Sequence, residues 1–94
     1  MPLTHVVLMK LAPAGDADHL AALLNDLNGK IPGLQSLSAG RNVVPSERAF
    51  DLGLVAVFDD HDALQEYQSH PAHVAVAGGI RAAAEQIVAV DFDS

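Results

Sequence analysis

This chain of 94 residues has no cysteine and no tryptophan, and its aromatic content is three Phe and one Tyr. Without cysteine there can be no disulfide, no thiolate nucleophile and no zinc–thiolate centre. Bases are also scarce, with five Lys and Arg against 12 Asp and Glu, for a formal charge of -7. The five stand singly at Lys10, Lys30, Arg41, Arg48 and Arg81. Nucleic acid and anionic lipid both demand clustered cations, so neither is expected as a partner. No apolar run approaches the roughly 20 residues that span a bilayer, and a membrane is not expected either. The segment Met1-Pro2-Leu3-Thr4-His5 has neither a basic leader nor a cleavage site, which points to a soluble cytoplasmic protein.

Half of the residues are hydrophobic and 18% are charged, the balance of a globular chain. The length suits one domain spanning residues 1–94, with a core of small aliphatic side chains around few aromatics.

Leu3 to Leu11 is aliphatic and β-branched, as in a strand covered on both faces, and period two puts Leu3, His5, Val7 and Met9 together. His5 is therefore expected to face inward. A turn follows at Ala12-Pro13-Ala14-Gly15, and Asp16 or Asp18 can cap the next helix. Leu20, Leu23, Leu24, Leu27 and Ile31 share one face of that helix, with Asn28-Gly29 and Pro32-Gly33 as stop signals. Leu34 to Val44 reads as a more exposed strand with a bulge at Gly40, and Phe50 to Phe58 as a central strand. Acids at Asp59, Asp60 and Asp62 suit a helix start, so capping explains them. Gly78-Gly79 hints at close backbone packing in a later helix that carries Val74, Ala77, Ile80 and Ala84, and Gln86 to Phe92 is a last strand. The order β-α-β-β-α-(α)-β is the ferredoxin-like α+β arrangement. Helices cover one sheet face in such a fold, and the apolar character of the other face calls for a second subunit.

The chemistry-bearing stretch is Tyr67-Gln68-Ser69-His70-Pro71-Ala72-His73. Pro71 disfavours helical backbone at His70 and suits the first turn of a new helix, so the chain turns a corner there. Tyr67 and His73 flank the corner and can share one cavity if it folds inward. His73 then suits a base next to a carbonyl, with Tyr67 as its oxygen partner. The plainer reading makes Tyr67 a core anchor, His73 a cap and His70 a fixture of the corner. His19 and His61 fall on polar helix faces. His70 and His73 have a chelating spacing, but the proline breaks the helix between them and no metal site is expected.

The element order, His5, Ile31-Pro32-Gly33, the Phe50 to Phe58 strand and His70-Pro71-Ala72-His73 together resemble the stress-responsive dimeric A/B barrel (Dabb) family over nearly the whole chain. The resemblance implies a homodimer whose two sheets close into a dimeric α/β barrel. Many members have no assigned activity. One, olivetolic acid cyclase, closes a polyketide ring by aldol condensation without a cofactor. Likeness to that enzyme implies Tyr67 and His73 as catalytic residues, His5 and His70 as substrate-binding residues, and no cofactor. The chain departs from it at Leu24 and Leu52, where the cyclase has a tyrosine and a histidine. The implied function is a homodimer with a pocket between sheet and helices for a small apolar or carbonyl-containing ligand. A cyclase- or lyase-like enzyme is the alternative, and a cofactor-free monooxygenase a third.

Overall fold

The alternation in the first strand sets the frame of the computed structural model, which describes residues 1–13 and 15–94. Ala14 lies outside the described residues, and with it the centre of the expected turn. In β1 (Leu3–Leu11) the odd-numbered residues are buried and the even-numbered ones are more open. The same period runs through β3 (Leu52–Phe58), where Leu52, Leu54, Ala56 and Phe58 point inward. These two strands are the centre of a sheet ordered β2-β3-β1-β4, every pair antiparallel. β2 is Leu34–Arg41 and β4 is Ala84–Asp93. With helices α1 (Ala17–Asn25), α2 (His61–Ser69) and α3 (Pro71–Ala83), the chain is a ferredoxin-like α+β fold of four antiparallel strands and three helices.

Capping fixes where the helices begin. The carboxylate of Asp16 accepts from the His19 N–H at 3.1 Å, and that of Asp60 accepts from the Ala63 N–H at 2.9 Å. α1 stops at Asn25, earlier than the leucine spacing suggests, although Leu27 and Ile31 still reach the core from the turns that follow. Beyond Asn25 the backbone tightens into i→i−3 turns in which Gly29 takes φ 79°, and the asparagine side chains of this stretch turn to β2. The Asn28 amide donates to the Leu37 carbonyl at 2.8 Å and accepts from the Leu37 N–H at 2.9 Å; Asn25 does the same for Ala39, both at 2.9 Å. The two amides thus occupy backbone groups that edge strand β2 would otherwise present to another chain.

Other expectations are corrected. Gly40 lies in register opposite Gly53, and the irregularity in β2 falls between Leu34 and Ser36 instead. β2 ends at Arg41, β3 begins at Leu52 rather than Phe50, and β4 is longer than expected at both ends. Gly78 and Gly79 are exposed, with open space where a side chain would stand, so no close backbone approach requires them. Val74 is exposed, and Val76 joins Ile80 in packing on the core.

All three helices lie on the inward face of the sheet, and the opposite face carries Leu8 on β1, Val55 on β3, and Val88, Val90 and Phe92 on β4. Val90 is 56% exposed and Val55 47%. A contiguous apolar surface of this kind is uncommon on a free monomer. Among the described residues no helix is long and apolar enough to cross a membrane.

Candidate functional site

The corner at His70-Pro71 has the geometry that proline imposes. His70 has extended backbone (φ -66°, ψ 134°), ends α2 and caps α3, and Pro71 occupies the first turn of α3. The Ala72 N–H donates to His70 Nδ1 at 3.1 Å, so this imidazole caps a helix at the corner and does not stand on the cavity wall. Tyr67 precedes the corner and His73 follows it. Their rings meet, with centroids 4.1 Å apart and 38° between planes.

Tyr67 is 1% exposed. Its ring packs on Phe58 at 4.9 Å, and the His5 ring stands edge-on to it at 6.3 Å. Among the described residues its hydroxyl is the one buried side-chain polar atom with no hydrogen-bond partner. Burial raises its pKa from 10.0 to about 12. Tyr67 thus stays a phenol at any physiological pH, with a proton to donate.

The His73 pKa is lowered below 6.5, first by burial, with His5, Arg81 and His70 adding repulsion and the Gln68 carbonyl opposing. The neutral ring therefore predominates near pH 7. A carbonyl oxygen only accepts, so the 3.4 Å contact with the Gln68 carbonyl puts the ring proton on Nδ1 and leaves Nε2 with a lone pair.

His5 faces inward as the strand period requires. Its Nδ1 hydrogen-bonds the carboxylate of Asp91, its direct cross-strand partner on β4. This carboxylate orients the imidazole and fixes its Nδ1 proton. His61 makes a similar contact through Nε2 with Asp93 at 2.8 Å, on an exposed surface.

His5, Tyr67 and His73 converge on a cavity of about 230 Å³ between sheet and helices. Val7, Met9, Leu24, Leu54 and Ile80 give it an apolar lining, and Gln68 and Arg81 add polar groups. Leu24 is on this wall, whereas Leu52 is buried in the core away from it. Sequence reasoning gave no role to Arg81 or Asp91. The signal for Arg81 is its spacing: 73, 77, 80 and 81 fall on one side of α3. Asp91 carries no comparable signal, because its place depends on pairing between strands 86 residues apart. Among the described residues no group of three His, Asp or Glu side chains is placed to hold a metal ion.

The family model described as Stress responsive A/B Barrel Domain, Dabb, matches residues 3–94. A dimeric ferredoxin-like protein of unknown function from Thermobifida fusca has a TM-score of 0.89 at 27% identity, covering 100% of this chain and 92% of its own. A dimeric protein of unknown function from Bacteroides fragilis, also ferredoxin-like, gives 0.88 at 25%, covering 99% and 96%. A hydroxynitrile lyase from Passiflora edulis gives 0.82 at 16%, covering 97% and 91%, a likeness of fold alone. Among curated protein sequences no significant match is found.

Proposed function

This chain belongs to the stress-responsive A/B barrel (Dabb) family, and we propose that it is a homodimer that holds a small, mainly apolar, carbonyl-bearing molecule in the cavity of each protomer. One observation carries the reading. The Tyr67 hydroxyl is buried, protonated and unpartnered beside that cavity, and a buried donor left unmade costs roughly 1–3 kcal/mol. A ligand oxygen accepting from it would recover that loss. The dimer is supported by the exposed apolar sheet face and by the dimeric relatives. The test of binding is an NMR titration with small ketones and acids. Amide shifts should cluster at 67–81 and on β1 in the native protein, and weaken in Tyr67→Phe; saturable binding elsewhere would refute the site.

A second reading is favoured by the contact between Tyr67 and a neutral His73. In it the ligand is a substrate, Nε2 of His73 removes a proton next to the carbonyl, and the phenol of Tyr67 donates to the enolate oxygen that develops. This is the cyclase- or lyase-like chemistry that the likeness to olivetolic acid cyclase implies. His5, oriented by Asp91, would contact the bound molecule. Exchange of the α-proton for deuterium in the presence of protein should be lost in His73→Ala. Exchange that persists unchanged in this variant would remove the assignment and leave binding intact.

A further inference from the structure

Arg81 is the permanently charged group among the cavity-lining residues, and among the described residues it has no ion-pair partner. The ion pairs among the described residues are His5–Asp91, Lys30–Asp26, Arg41–Asp18 and His61–Asp93, so none engages Arg81. It follows His73 by eight residues on α3, about 12 Å along the helix axis at 1.5 Å per residue. Both residues line the same cavity. The guanidinium charge is felt at His73, since Arg81 is among the groups that disfavour protonation of His73. The cavity thus has a cation and a phenol with an unused proton, both on a mostly apolar wall.

Building on the carbonyl-binding reading above, we infer that the ligand is a small oxo acid whose carboxylate sits at Arg81 while its carbonyl oxygen accepts from the Tyr67 hydroxyl. The apolar lining suits a ligand whose two oxygen functions are joined by a few methylenes that lie against Val7, Met9, Leu24 and Leu54. A carboxylate fits better than a phosphate, because a doubly charged phosphate calls for several cations and Arg81 is the one Lys or Arg side chain among the cavity-lining residues.

The probes are 5-oxohexanoate and its neutral isostere 5-oxohexanamide, titrated by NMR into the native protein, Arg81→Gln, Arg81→Lys and Tyr67→Phe. Arg81 is exposed, so its replacement leaves the core untouched. The acid should bind the native protein about tenfold more tightly than the amide, the usual worth of one charge-assisted contact. Arg81→Gln should abolish that preference by weakening the acid alone, Arg81→Lys should keep part of it, and Tyr67→Phe should weaken both probes alike. Equal affinities for acid and amide in the native protein, or a preference unchanged in Arg81→Gln, would overturn the oxo-acid assignment while leaving carbonyl binding in place. Absence of binding by both probes, or shifts confined to residues outside the cavity, would overturn both readings.

Discussion

The ring of Tyr67 lies 4.1 Å from that of His73 on the far side of a proline corner, and its buried hydroxyl has no partner. Two side chains of adjoining helices are thus held in contact by a backbone break, and the contact leaves one proton donor unused. Stability and binding have opposite claims on that hydroxyl.

Replacing Tyr67 with Phe separates the two. The substitution keeps the ring against Phe58 and removes only the unpartnered group, so the protein should be unchanged or more stable by about 1 kcal/mol in urea denaturation. Tyr67→Ala, which empties the core beside Phe58, should cost about 3–5 kcal/mol. A clear loss of stability in Tyr67→Phe would show that the hydroxyl is satisfied in solution, and the ground for a ligand oxygen there would be gone.

The alkaline titration of the same group can be read without ambiguity, because Tyr67 is the one tyrosine and there is no tryptophan. Phenolate absorbance near 295 nm should stay flat past pH 10 and rise with a midpoint near 12. The linkage sign follows. The unfolded chain releases this proton above pH 10.0 and the folded chain keeps it, so the stabilisation present below pH 10 is lost as pH rises toward about 12. A midpoint at 10 in the folded protein would mean that the ring is solvated.

The fate of His73 runs the other way. Its folded pKa lies below the ordinary 6.5, so between the two values the unfolded state binds more protons and stability falls as the solution is acidified. Burial of the ring sets this first; the Gln68 carbonyl on α2 opposes it, and His5 on β1, Arg81 on α3 and His70 at the corner add to the lowering. An NMR titration should place the His73 imidazole below 6.5, and the loss of stability below neutrality should be shallower in His73→Gln. A His73 midpoint above 6.5 would contradict the burial of the ring.

The residues that were legible in sequence are those whose roles are local. Asp16 and Asp60 act within a turn of themselves, Pro71 dictates the backbone of the residue before it, and the strand period aims His5 inward. Those that were not legible act across the fold. Asp91 matters because β4 pairs with β1, and Arg81 because α3 lies over the sheet at a particular rotation. Leu27 and Ile31 mislead in the opposite sense: their spacing continues the helical face, yet they reach the core from turns, where i→i−3 hydrogen bonds replace the helical ladder and Gly29 takes a positive φ. Gly40 and Gly78-Gly79 show that glycine marks a bulge or a close approach only where the opposing backbone makes use of it.

The outer sheet face provides the last prediction. Val55 and Val90 lie on neighbouring sides of β1, pointing away from the helices, and both are about half exposed. If this face is where two protomers meet, burial there brings valine against valine, and an aspartate at either position would put an unpaired carboxylate into an apolar interface. Val55→Asp and Val90→Asp should each raise the dimer dissociation constant by at least about a hundredfold, read by sedimentation equilibrium at micromolar concentration. The cavity lies on the opposite side of the sheet, so a monomeric variant should keep the Tyr67–His73 contact and bind probe as before. A native protein that sediments as a monomer would refute the dimer outright. Variants that remain dimeric would move the interface to another surface, and the exposed valines would then be unexplained by association.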